Sequence, residues 1–265
     1  MDTHELSRRF PRSEKYTMAW VQDGGMGSRP LWTAEWLSER LNLQSGMRVL
    51  DLGCGRARSS IFLAQEFGVQ VWATDLWVPA SENWRDIQAA GLDQQVFPIH
   101  ADARSLPFAA AFFDAIVALD CYSYFGTDDL YLNYLTQFVK PEGPIGIAGA
   151  GLVEEMPVPV PDHLADFWTQ DLWALHSVSW WRRHWARTGL VEIRTADTMN
   201  DGWTLWSAWQ RQIAPDNTAE IATVEADAGR YLTYIRLVGH RRADMKLAEY
   251  AWPDTLRAML KGTGT

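Results

Sequence analysis

Short apolar runs alternate along this chain with longer stretches in which apolar residues recur every three or four positions. Residues 48–52, 70–74, 96–100, 115–119 and 144–148 read as strands, and residues 58–67, 84–90 and 128–138 as helices among them. Ahead of the first strand, Leu31, Trp32, Trp36, Leu37 and Leu41 fit an amphipathic helix over 31–41, closed by Gly46. Strands that are apolar throughout, interleaved with helices, predict a parallel sheet covered on both faces. The alternation breaks at 154–162, where Pro157, Pro159 and Pro161 exclude a helix interior. It resumes with a helix at 180–187, a strand at 190–195, an inserted helix around 203–210 and a strand at 231–238. A terminal helix is expected over 246–260, interrupted at Pro253. Residues 1–30 are polar and glycine-rich, and no element is predicted there.

Composition bounds the class. The 265 residues are 47% hydrophobic and 22% charged, which suits one core with decorations rather than two independent domains. The expected divisions are an N-terminal lid and first helix (1–45), a ligand-binding core (46–150), a Pro/Trp-rich insertion with a helix (151–189), and the last strands with their helices (190–265). The formal net charge of −9 argues against nucleic acid or an anionic membrane as partner, because either would need a basic track. No run approaches the ~20 apolar residues that span a bilayer, and the first residues lack the apolar core of a secretory signal. Two cysteines, Cys54 and Cys121, make neither a disulfide framework nor a zinc site, so no metal and a reducing cytoplasm are expected. Oligomeric state is not legible. Eight of the 15 tryptophans fall between Trp168 and Trp209.

Chemistry gathers where the first strand hands over to the first core helix, at Val49-Leu50-Asp51-Leu52-Gly53-Cys54-Gly55. Glycines there let the backbone turn sharply and approach a ligand, and the helix behind points unpaired N–H groups at it. A dinucleotide fingerprint would need a third glycine where Arg58 stands, and no Gly-Lys-Ser/Thr follows for a phosphate loop. A nucleoside therefore fits better than a pyrophosphate. Asp75 ends the second strand, where a carboxylate can accept ribose hydroxyls; Asp102 ends the third, where it can accept an adenine amine; Asp120 ends the fourth.

This set resembles the class I S-adenosylmethionine-dependent methyltransferases, closely over residues 24–150 and more loosely beyond. The matching pieces are residues 49–55, Ala73-Thr74-Asp75-Leu76, Ala101-Asp102-Ala103 with Leu106-Pro107-Phe108, residues 113–117, and Lys140-Pro141 followed by Gly143. Two positions depart from the family pattern: Ala57 replaces a frequent glycine, and Glu142 interrupts the usual Lys-Pro-Gly-Gly. The resemblance implies a Rossmann-like α/β fold, a seven-stranded mixed sheet with the last strand antiparallel, helices on both faces and a helical or loop cap. It implies S-adenosylmethionine as cofactor, Asp75 on its ribose, Leu76 on the adenine face, Asp102 and Ala103 at the adenine edge, and Gly53 and Gly55 beneath the methionine. Asp51 and Asp120 complete the cofactor-side set.

On the acceptor side, Asp120-Cys121-Tyr122-Ser123 stands where base- and glutamine-methylating enzymes carry an Asn/Asp-Pro-Pro-aromatic segment. With the acidic charge, this favours a free small molecule. The chain is also similar to cyclopropane fatty-acid synthases around residues 120–126 and to phosphoethanolamine methyltransferases. The latter use a tyrosine before the first helix and an Asp and His after the fourth strand; these match Tyr16, Asp120 and, in place of the His, Tyr124. Those three are the catalytic candidates, although Tyr122 and Tyr124 also suit a plain pocket wall. His163 and His176 are possible bases, and His184 reads as surface or boundary. Cys54 and Cys121 should end near one another and most simply serve as small buried residues. Trp168, Trp173 or Trp203 is expected to line the acceptor site, with residues 151–178 closing over it. The expected activity is methyl transfer to a small molecule. A cyclopropane-synthase-like lipid enzyme and a non-catalytic cofactor-binding protein are the alternatives.

Overall fold

The computed structural model describes residue 6 and residues 8–245; the helix expected over 246–260 lies outside them. The core elements are β1 (Arg48–Leu52), α3 (Arg58–Phe67), β2 (Gln70–Asp75), α4 (Ala80–Ala89), β3 (Val96–His100) and β4 (Ala115–Leu119). Before them come α1 (Met18–Asp23) and α2 (Pro30–Ser38); after them come α5 (Ser123–Gly126), α6 (Tyr131–Thr136), β5 (Pro144–Leu152) and α7 (Val178–Ala186). The chain continues through β6 (Val191–Thr198), α8 (Gly202–Ile213), α9 (Thr218–Asp227) and β7 (Leu232–Arg241). The seven strands form one sheet in the order β3-β2-β1-β4-β5-β7-β6. β7 is antiparallel to both its neighbours, and β1 to β5 are parallel. This is the Rossmann-like mixed sheet expected from the sequence.

The apolar strands are explained by two cores, one on each face. Along β4, Ala115, Val117 and Leu119 enter one cluster while Ile116 and Ala118 enter the other. A strand buried on both faces has no polar alternation to display.

Several elements differ from expectation for local reasons. α2 is buried on every side rather than amphipathic. Its Glu35 is tolerated inside because the carboxylate accepts the amides of Arg12 and Ser13 and the Ser13 hydroxyl. The helix expected over 128–138 shrinks to α6, since Asp128 accepts the amide of Leu130 and holds the chain in a turn. α1 was not predicted. α9 was missed although Asn217 and Glu220 mark its start: the Asn217 side chain accepts the Glu220 amide. β5 runs four residues beyond Ala148 through Gly149 and Gly151, which pair with Ile235 and Thr233 of β7.

Candidate active site

The turn after β1 is built from left-handed backbone. Gly53 has φ 68°, Gly55 φ 53°, and Ala57, which caps α3, φ 55°. At Gly53 the requirement is also one of space, because a Cβ would lie 2.6 Å from Cys121 Sγ. The amides of Gly53 and Cys54 donate to the Thr74 carbonyl of β2 at 2.8 and 3.1 Å, and Asn83 Nδ2 of α4 donates to the Gly55 carbonyl at 2.9 Å.

Asp75 reaches back to this turn from the end of β2. Its Oδ2 accepts the Gly55 amide at 2.8 Å, and its Oδ1 accepts those of Trp77 and Val78 at 2.7 and 2.8 Å. A carboxylate offers about four lone-pair positions, so three amides leave one for a ligand hydroxyl.

A cavity of about 360 Å³ opens beside the turn, at the carboxyl ends of β1, β2 and β4. Of the residues expected at the site, Gly53, Gly55, Asp75 and Leu76 line it, as do Asp102, Ala103, Asp120 and Tyr124. Two do not. Asp51 lies beneath the turn, fully buried, with Oδ2 accepting the Ser59 and Ser60 hydroxyls at 2.6 Å each. Burial pushes its carboxyl up to about 6, against the pull of those two hydroxyls. It holds α3 against β1 rather than facing the cavity. Tyr16 is absent from the cavity wall too. Its ring packs on Trp20 and Phe62, and its hydroxyl points to Glu66 Oε1 at 3.4 Å. Burial, then the Glu66 charge, pushes the phenol up. Tyr16 thus meets α3 farther along, at Phe62 and Glu66, whereas the cavity lies at that helix's N-terminal end, at Arg58 and Ser59.

Asp120 lines the cavity as a clasp. Its own φ is 57°. Oδ2 accepts the Ser28 amide at 2.6 Å and Oδ1 the Ala150 amide at 2.8 Å, joining the segment before α2 to β5. Gly149 makes room for it, since a Cβ there would lie 2.6 Å from Oδ1. Asp102 forms a two-toothed ion pair with Arg104, Oδ1 to Nε at 3.0 Å and Oδ2 to Nη2 at 2.8 Å, and Arg104 holds its carboxyl below the usual range. The Tyr124 phenol, exposed at the rim, is pushed up by burial first and then by the Asp120 charge. Cys54 and Cys121 both line the cavity, and burial pushes both thiols well up.

The opposite wall belongs to the segment expected as an N-terminal lid (1–45), none of whose lining residues was named for the site from the sequence. Residues 24–30 cross the cavity, with Gly24, Met26, Gly27, Ser28 and Pro30 on its lining. Arg58, noticed in the sequence only as a missing glycine, fastens this strap. Only 2% exposed, it pairs with Asp86 at 2.7 Å and Asp23 at 3.0 Å and donates to the Trp20 carbonyl. Trp209 Nε1 holds the Gly27 carbonyl at 2.9 Å. Arg56, on the glycine turn, lines the cavity with no side-chain ion pair or hydrogen bond among the described residues.

The tryptophans expected at the acceptor site lie off the cavity lining, with Trp173 exposed. None of Trp168, Trp173 and Trp203 lines the cavity, nor does any residue from 151 to 178. Trp168 and Trp203 pack against the core, Trp173 donates to the Trp168 carbonyl, and Trp181, Trp185, Trp206 and Trp209 are buried. Trp180 is sandwiched between His176 and His184, at 3.8 and 4.5 Å. His184 is buried rather than at the surface, bonded to the Gly126 carbonyl, and burial lowers its pKa. His163 and His176 are occupied by Asp227 and Glu155, away from the cavity.

The wall suits a nucleoside with an amino-acid tail. Thr74 Oγ1, on the lining, is buried without a hydrogen-bond partner, and the glycine backbone leaves room for close approach. Among the described residues no cluster of side chains is arranged to hold a metal, and no helix is long and apolar enough to cross a membrane.

Comparison with known proteins agrees with this geometry. Residues 49–143 match the family model of a methyltransferase domain. The chain is 32% identical over 115 residues to the methyltransferase GfsG of Streptomyces halstedii, covering 43% of this chain and 41% of that protein. It is 28% identical over 129 residues to the O-methyltransferase resE of Aspergillus sclerotiorum, covering 48% of each. The chain thus spans about half the length of these curated relatives. Among solved structures, phosphoethanolamine N-methyltransferase 2 of Haemonchus contortus aligns with a TM-score of 0.68 at 16% identity, over 89% of this chain and 59% of that one. The 4+2 cyclase SpnF aligns with a TM-score of 0.60 at 19% identity, over 83% and 84%. These likenesses establish the fold, and the second shows that the fold alone does not fix the reaction.

Proposed function

We propose, from the premise that residues 49–143 of this chain are a class I methyltransferase domain, that the cavity binds S-adenosylmethionine and that the protein methylates a small molecule. The observation that carries this reading is one cavity joining the glycine turn after β1, Asp75 at the end of β2 and the Asp102-Ala103 pair after β3. When bound, the cofactor supplies an electrophilic methyl carbon. Asp75 accepts a ribose hydroxyl through its remaining lone pair, Leu76 offers an apolar face to the adenine, and Asp102 with Ala103 borders the adenine edge. Gly53 and Gly55 bring backbone close to the methionine, in front of the N–H groups of α3. Asp120 is a positioning residue that holds the strap against the cavity. Tyr124 faces the acceptor. Part of the catalysis is alignment of donor and acceptor, which the strap and rim provide. A cytoplasmic setting belongs to the same reading, supported by two free thiols.

Calorimetry with S-adenosylhomocysteine tests the cofactor half. Asp75→Ala should lower affinity by about 1–3 kcal/mol, the worth of a charge-assisted bond. Because Asp75 also fixes three amides, Asp75→Asn is the companion variant and should weaken binding less. Failure of the wild type to bind would refute the reading. Binding without S-adenosylhomocysteine release across an acceptor panel would instead favour a non-catalytic binding protein.

A further inference from the structure

Among the described residues eight large apolar side chains are exposed; Leu130, Val153, Val158 and Trp173 lie apart from the cavity, and the other four, Met26, Leu76, Trp77 and Tyr124, share it. Trp77 is 67% exposed and Tyr124 61%, so neither ring serves the core. A concentrated apolar patch at the mouth of a cavity marks a place that a ligand covers. The backbone beneath both rings is held: Asp75 pins the Trp77 amide, and His184 bonds the Gly126 carbonyl at the end of the helix carrying Tyr124. Their polar tips are unengaged, since the Trp77 indole N–H and the Tyr124 hydroxyl make no hydrogen bond among the described residues.

The two ring centroids lie 5.8 Å apart with planes tilted by 57°. The rings already touch, so a third ring packs against their outward faces rather than between them. The charged groups of the cavity are, by contrast, mostly engaged. Asp75 and Asp120 hold backbone amides, Asp102 holds Arg104, and Arg58 holds Asp23 and Asp86. Arg56, on the glycine turn, is the exception. Recognition at the mouth therefore falls to π faces and to the Met26 thioether more than to ion pairing.

Resting on the cofactor reading above, we propose that the acceptor is a flat aromatic compound seated against Trp77 and Tyr124, and that these rings select it over saturated compounds of equal size and charge. The test uses the full chain saturated with S-adenosylhomocysteine, titrated by calorimetry with 1-naphthol and with decahydro-1-naphthol. The aromatic alcohol should bind about tenfold more tightly, the sum expected of two ring contacts. Trp77→Leu and Tyr124→Leu keep apolar area but remove a ring, and each should cut that preference to about threefold or less. Affinity for S-adenosylhomocysteine, measured first on every variant, should stay near the wild-type value. Equal binding of the two alcohols, or binding of neither, overturns the proposal. So does a Trp77→Leu variant that loses S-adenosylhomocysteine affinity while keeping the naphthol preference, which would give the indole to the cofactor's base. A wild type that binds no S-adenosylhomocysteine brings down the cofactor reading and this proposal with it.

Discussion

Ala57 and Glu142 stand where the family resemblance expects glycine, and both adopt left-handed backbone, at φ 55° and 64°. The local geometry has been kept while the residue best suited to it has been lost. A side chain in that region costs about 1 kcal/mol or more relative to glycine. Glu142 is exposed, and its contact with Arg194 at 3.8 Å is solvated and worth little. Glu142→Gly should therefore raise stability by about 0.5–1 kcal/mol, partly offset by the freer unfolded chain. A denaturant melt with a higher midpoint and unchanged slope would show it; a lower midpoint would mean that the strain is absent. Ala57→Gly relieves the same strain but removes a fully buried methyl worth about 0.8 kcal/mol, so its net effect should be near zero.

The strap is the element on which the cavity depends, and its attachments are few. Arg58 reaches it from α3 through Asp23 and the Trp20 carbonyl, and stacks on the Trp20 ring at 4.6 Å. Asp120 reaches it from β4 through the Ser28 amide, and Trp209 from α8 through the Gly27 carbonyl. Arg58→Leu should cost about 1–3 kcal/mol, below the range for stranding a buried charge, because Asp23 and Asp86 keep 73% and 34% side-chain exposure and can rehydrate. The same change should speed amide exchange across residues 18–28 while leaving β1 and β4 protected. Asp23→Asn should have a smaller effect on both, since Asp86 still holds the guanidinium. Unaltered exchange in the Arg58→Leu strap would show that Asp120 and Trp209 suffice to hold it.

For the whole molecule, the cofactor reading predicts a linked stability. S-adenosylhomocysteine at a hundred times its Kd should add about 2.7 kcal/mol to the folded state, or roughly 5–10 °C in Tm for a chain of this size. NAD at the same concentration should leave Tm unchanged, because the buried Arg58 and its two ion pairs fill the place of the fingerprint's third glycine. A shift with NAD alone would move the chain to another ligand class.

Local patterning is enough to set the frame. β1, β3, β4 and α3 lie at the residues where periodicity put them, and the acidic residues Asp75, Asp102 and Asp120 come to the carboxyl edge of the sheet. That information is local: a strand buried on both faces must be apolar at every position, and a turn beside a ligand must be glycine-rich. One side of the cavity, where the cofactor is proposed to sit, is built from those turns and was legible too. The facing side of the cavity depends on packing between distant segments. Tyr16 turned away because its segment packs along α3, and the tryptophans of residues 168–209 mostly went to the two cores. The facing wall came from residues 24–30, joined to Asp120 across 92 positions and to Trp209 across 182. Nothing in the spacing of those residues marks such contacts. They depend on where a segment without strong periodicity crosses the sheet edge, and only the packed chain fixes that path.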